Sequence, residues 1–190
     1  MWRTTRITAD AAKNLQINAG LLLRAFDIHH PAAPTDEQII CETTGEFTIT
    51  CTPVVEDLIG DMNCAPIGTK EGRVITGWKC GLNVTALSIT PQTLALALGA
   101  GEAEGDNGVR GRAAYRPDDF RCLDWIGDMM DENRLFVVVM EDTVSTGGIT
   151  FTSRHHGKGA LVLNLTAHGS VADPQKVPMA FYLLEKEAQR

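Results

Sequence analysis

The chain has 190 residues, 44% apolar and 22% charged, which suits one ordinary domain burying about 70% of the surface its unfolded chain exposes. That balance excludes wholesale disorder and a coiled coil. With 17 basic against 24 acidic residues and a net charge of −7, it also excludes a surface built to grip nucleic acid, though not one that repels it.

Residues 15–25 place Leu15, Ile17, Ala19, Leu21, Leu23 and Ala25 on the odd positions, with Asn14, Gln16, Asn18 and Arg24 between them. This period of two predicts a half-buried strand with its odd face inward. The same alternation recurs at Phe47, Ile49 and Cys51 and is expected to stop at Pro53, which cannot donate a ladder hydrogen bond. Residues 54–73 then lose the strand period and read as a long loop.

From Trp78 the apolar set Trp78, Cys80, Leu82, Val84 and Ala86 alternates with Lys79, Gly81, Asn83 and Thr85, and the phase then flips to Leu87 and Ile89. A bulge near Ala86 is expected to cause the flip. Thr90-Pro91 reads as an N-cap with proline in the first turn, Leu94 and Leu98 lie one turn apart, and Gly99 is the stop, which predicts one short helix packed on a sheet.

Residues 99–119 split their charge, Glu102, Glu104 and Asp106 coming before Arg110, Arg112 and Arg116, all among glycines, and read as an exposed loop. Two loops of about twenty residues each are uncommon in a compact domain and point to function or assembly. The last third predicts strands at 123–126, 135–140, 149–152, 161–167 and 179–184, with turns at Gly147-Gly148, Gly157-Lys158-Gly159 and Asp173-Pro174. Roughly seven or eight strands and one helix predict a mainly β fold, a β-sandwich or partly closed β-barrel with one short flanking α-helix. With no repeat or linker, residues 1–190 read as a single domain.

The opening residues carry no apolar core of a secretory signal, and no run of about 18 apolar residues follows. The product is therefore expected to stay in the compartment where it is made. Cys41, Cys51, Cys64, Cys80 and Cys122 are odd in number and form no CxxC pair. They make a poor disulfide or zinc framework and read as reduced, mostly buried thiols.

His29-His30 and His155-His156 are adjacent pairs, and neighbours on an extended strand point to opposite faces, so neither pair predicts a metal site. Asp118, Asp119, Asp124, Asp128, Asp131 and Glu132 form an acidic cluster without calcium-loop spacing and read as solvated charge. Gly99-Ala100-Gly101 follows a helix where a dinucleotide-binding turn must follow a strand, and Gly157-Lys158-Gly159 lacks the flanks of a phosphate loop. No nucleophile elbow is present and no cysteine has a recognisable nucleophile context. No enzyme activity and no cofactor are expected.

Several segments, taken in order, resemble the major tail proteins that build the tail tube of long-tailed, non-contractile bacteriophages. They are residues 14–23 followed by Phe26-Asp27, Thr43-Thr44-Gly45-Glu46-Phe47 ending in Thr52-Pro53, Gly77-Trp78-Lys79, and 93–100. Residues 123–128, Ser145-Thr146-Gly147-Gly148, the Gly157-Lys158-Gly159 turn, Thr166-Ala167-His168-Gly169 and Val177-Pro178 complete the likeness. It is the shared order, from about residue 14 to 185, that carries the resemblance.

The resemblance implies a structural virion protein, assembled in the host cytoplasm, whose copies form hexameric rings that stack into a hollow tube for DNA ejection. Its partners would be other copies of itself and tape-measure, tail-tip and tail-terminator proteins, with DNA passing through the lumen unbound and no membrane involved. The two long loops would contact neighbours through Lys70, Glu71, Arg73, Glu102, Glu104, Asp106, Arg110, Arg112 and Arg116. Strand parity nominates Glu46, Asp124, Asp128 and Asp131 for an acidic lumen, since a sliding duplex must not be held phosphate by phosphate. The alternatives are a tube subunit of a contractile tail or related injection machine, and a monomeric β-sandwich binding module.

Overall fold

The computed structural model describes residues 8–44, 46–59, 68–152 and 159–186, with the backbone alone at 9–10 and 16–18. In chain order the elements are α1 (Ala9–Lys13), β1 (Gln16–Leu23), β2 (Ile39–Thr44), β3 (Thr48–Asp57), β4 (Arg73–Ala86), α2 (Pro91–Leu98), β5 (Gly101–Glu104), β6 (Gly108–Gly111), β7 (Arg121–Met129), β8 (Arg134–Ser145), β9 (Thr150–Thr152), β10 (Ala160–Ala167) and β11 (Met179–Glu185). Single 3-10 turns stand at Lys70–Gly72 and Pro117–Asp119. The fold is mainly β, as the alternation predicts, with α2 as its flanking helix.

The large sheet runs β11-β8-β7-β1-β2-β4-β10-β9, with β3 added on β4, and β8 also pairs with β10. That last pairing returns the sheet to its own beginning, so β8, β7, β1, β2, β4 and β10 form a closed ring of antiparallel strands, a partly closed barrel. Two of its seams are short. β2 meets β4 at Thr43 and Ala86, and β8 meets β10 from Thr143 to Ser145.

The barrel interior takes one face of every ring strand: Leu22, Cys41, Leu82, Val84, Leu123, Trp125, Val138, Met140, Leu163 and Leu165 are all buried. Trp125 packs against Phe47 and Phe136. Its indole N–H donates to the Thr43 hydroxyl at 3.0 Å, which donates in turn to the Gly20 carbonyl at 3.0 Å. These hydrogen bonds satisfy the polar atoms that so large a buried side chain brings inside. Gly20 is required there, because a Cβ would stand 2.4 Å from the Ile126 carbonyl and 2.6 Å from the Trp125 ring.

A second apolar cluster lies outside the barrel. Leu23, Ile126, Leu135 and Val137 are covered by Phe26 and Ile28 from the arm that joins β1 to β2 and by Ile39 at the start of β2, with Tyr182 and Leu184 of β11 beside them. The strand predicted at 15–25 therefore has two apolar faces near its end. Even-numbered Leu22 enters the barrel, while odd-numbered Leu21 and Leu23 face the arm, and Leu15 is exposed. The odd-face alternation marked the arm's contact and not the barrel interior.

The set from Trp78 to Ala86 points inward as predicted, but no bulge follows: β4 ends at Ala86, and Leu87 and Ile89 are exposed. Helix α2 has the predicted signals. The Thr90 side chain accepts from Thr93 N–H at 3.1 Å, Pro91 opens the helix, and Gly99 closes it at φ 72°, a conformation glycine adopts without a Cβ penalty.

Candidate functional site

Two surface features stand apart from the barrel. The first is the far end of the β3–β4 hairpin. β10 pairs with β4 only between Cys80 and Ala86, so the run from Arg73 to Lys79 is paired with β3 alone, from Asp57 back to Thr52. The strand thus continues through Pro53, contrary to the expected stop. β3 is paired on one side only, and a proline on an edge strand costs no ladder bond. Of the predicted loop at 54–73, residues 54–57 and 73 belong to the two-stranded ribbon and Lys70–Gly72 to a 3-10 turn, with residues 60–67 outside the described ones.

On this ribbon Val55 and Ile75 face each other across the strands and are 45% and 56% exposed, and Leu58, beyond the strand end, is 65% exposed. Val74 adds a further exposed apolar side chain. The far end is ordered by the Leu58 N–H, which donates to the Gly72 carbonyl at 2.8 Å, and by Gly72 itself, whose hydrogen lies against the Ile59 side chain. A two-stranded ribbon standing free in water is marginal, and an unpaired edge bearing apolar side chains is a template for another chain.

The predicted loop at 99–119 is likewise built. β5 and β6 form a hairpin turning at Gly105, φ 67°, and packed over α2, where Gly101 lies against Ala95. Its charges are paired internally: Arg110 with Glu104 at 2.6 Å, Arg116 with Glu102 at 3.1 Å, and Arg112 with Asp119 at 2.5 Å. Asp106 is exposed at the turn. Four-residue strands are too short to show a period, which is why the alternation missed them. At the other predicted loop Lys70 and Glu71 pair at 3.6 Å in the exposed 3-10 turn, and Arg73 begins β4.

The second feature is an open cleft of about 1360 Å³ on the outer face of β1, β2, β7 and β8, walled by Pro31–Pro34 of the arm. Its floor is apolar, with Leu21, Ile126 and Leu135, and its rim carries Lys13, Arg134 and Lys186 beside Glu42, Asp128 and Asp131. Lys186 holds Asp128 at 3.0 Å, and Arg134 donates to the Asn14 side-chain carbonyl at 2.7 Å.

The four acids nominated for a lumen do not converge. Asp128 and Asp131 share the cleft rim with the three cations, and Glu46 is exposed on the approach to β3. Asp124 is buried at 4% exposure and serves the arm, its carboxylate accepting the Phe26 N–H at 2.8 Å. Burial pushes its acid up from the ordinary value, and the Phe26 N–H pulls the other way. It therefore cannot line a channel. Asp119 is buried with Arg112, so the acidic cluster is not wholly solvated charge.

His29 and His30 sit in the arm, where Asp27 accepts their backbone N–H groups at 2.8 and 3.2 Å. His155-His156 and Lys158 lie outside the described residues, as does Cys64. Among the described residues no three His, Cys, Asp or Glu side chains are grouped to hold a metal ion, and no helix is long and apolar enough to cross a membrane. Sequence spacing missed one constellation: Cys51 and Cys80 are partners across β3 and β4, with sulfurs 3.2 Å apart.

Compared with protein-family models, curated protein sequences and solved structures, the chain matches none.

Proposed function

We propose that this chain is a structural subunit, not an enzyme, whose copies assemble into stacked rings forming the tail tube of a long-tailed bacteriophage. The observation that supports the reading best is the β3–β4 ribbon, which extends an unpaired strand edge and the exposed Val55, Leu58, Val74 and Ile75 past the barrel. These side chains are 36–65% exposed, so covering each against a second copy recovers about half of the roughly 1.5–3 kcal/mol that burying a fully exposed one is worth. The charged hairpin β5–β6 is a weaker assembly candidate, because its salt bridges are already made within the chain. Of the nominated acids, Glu46, Asp128 and Asp131 remain for a lumen wall.

A monomeric binding module is the second reading, favoured by the cleft under the Pro31–Pro34 wall. Negative-stain electron microscopy of the concentrated protein, with light scattering for mass, separates the two. Rings or hollow tubes are expected. A strict monomer, even with tail-tip or tape-measure proteins supplied, would move the assignment to the binding module.

A further inference from the structure

We infer that Cys51 and Cys80 form a redox-active dithiol that closes to a disulfide between β3 and β4, pinning the base of the ribbon to the barrel. The two residues occupy the same register position of an antiparallel pair. Such partners have Cα atoms about 4.5–5.5 Å apart, inside the range of about 4.4–6.8 Å that a disulfide spans. Their sulfurs already meet at 3.2 Å, so bond formation asks for small side-chain rotations and no movement of either strand. A further six paired positions beyond the cysteines, out to Asp57 and Arg73, complete the ribbon, so a bond at this point holds the place where the ribbon leaves the barrel.

The two thiols differ in access. Cys80 is buried at 3% exposure, and desolvation with the contact to Cys51 pushes its thiol up to about 12. Cys51 is half-buried on the edge strand β3 and is the sulfur that an oxidant reaches first. With a low-molecular-weight disulfide as oxidant, the Cys51 thiolate attacks one of its sulfurs and expels a thiolate, leaving a mixed disulfide on Cys51. The Cys80 sulfur then attacks the Cys51 sulfur and expels the second small thiol, which takes the Cys80 proton. One protein dithiol is oxidised, and one small disulfide is reduced to two thiols. The pairing is independent of the assembly reading, because it rests on the register of β3 and β4 alone.

The test treats the folded native chain with oxidised glutathione, then counts free thiols and maps peptides without reduction. The expected result is a loss of two thiols, a mass decrease of two hydrogens, and one linked pair joining the Cys51 and Cys80 peptides. The melting temperature should rise on the order of 5–10 °C. Cys122→Ser, at the exposed cysteine, should leave the linkage unchanged, and Cys51→Ser should abolish it. Should Cys51→Ser fail to fold, the wild-type peptide map still decides. An undiminished thiol count, a stable mixed disulfide on Cys51 that never passes to Cys80, or a map placing the link at Cys122 would each overturn the assignment.

Discussion

The barrel and the β3–β4 ribbon share a strand, and β4 shows in one run how differently the chain uses it. Between Cys80 and Ala86 the strand is paired with β10 throughout, with β3 on its other side as far as Asn83 and β2 at Ala86, and it sends Cys80, Leu82, Val84 and Ala86 into the interior. Between Arg73 and Lys79 it has one partner, and Val74 and Ile75 stand in solvent. One strand therefore has a stabilising half and a half that contributes little to the stability of the single chain.

The strongest way to test the barrel side of that contrast is Trp125→Ala. Removing a fully buried ring that packs on two aromatic neighbours and donates to Thr43 should cost about 3–5 kcal/mol, read from urea unfolding. A loss under about 1 kcal/mol would mean that the interior is not packed around this ring.

A smaller effect is expected where the arm is held to the outside of the barrel. The buried Asp124 carboxyl has its pKa raised above the ordinary 3.8 by desolvation. The folded state therefore binds the proton more tightly than the unfolded one. Its stabilising contribution is complete below pH 3.8 and is lost as pH rises through the raised value. Asp124→Asn keeps an acceptor for Phe26 N–H and removes the charge, so its urea midpoint should lie above wild type at neutral pH and converge with it in acid. Asp124→Ala should fall below wild type at all pH values, for want of the acceptor. Equal pH profiles for wild type and the asparagine variant would rule out this account of the arm.

The smallest stability change belongs to the ribbon. Val55→Thr with Ile75→Thr should alter the unfolding free energy by within about 0.5 kcal/mol for each site. The same pair should lower the mass seen by light scattering at high concentration. A large loss of stability with unchanged association would reverse the contrast between the two halves of β4.

The parts of this arrangement that were legible in the sequence are those set by local periodicity and capping. Trp78 to Ala86 needed only the period of two, and Thr90-Pro91 to Gly99 needed only helix-end chemistry. Where a second layer acts, the pattern misled. The arm that covers β1 made its odd face apolar, and the barrel made Leu22 apolar as well, so parity alone could not say which face was inside. Asp124 looked like one more surface acid because nothing local announces that Phe26 will bring its N–H there. The β5–β6 hairpin was hidden by brevity, and the ribbon by a register shift opposite Val54 and Val55, where β4 carries one extra residue, Thr76. The contact of Cys51 with Cys80 depends on register across 29 positions, a quantity that spacing along the chain does not contain.

The closure of the barrel also sets an order in time. β1 lies between β2, its neighbour in sequence, and β7, where Leu22 meets Trp125 roughly a hundred positions downstream. During synthesis, therefore, the β7 edge of β1 must wait for most of the chain, while β3 and β4 can meet as soon as both have left the ribosome. The nascent protein would then carry its apolar ribbon before it has an interior, a period in which neighbouring chains on one message could pair too early. Slow folding from long-range strand pairing, on the millisecond-to-second scale, lengthens that exposure. A cell making many copies at once would meet this as a demand on its chaperones, set by topology before any finished subunit exists.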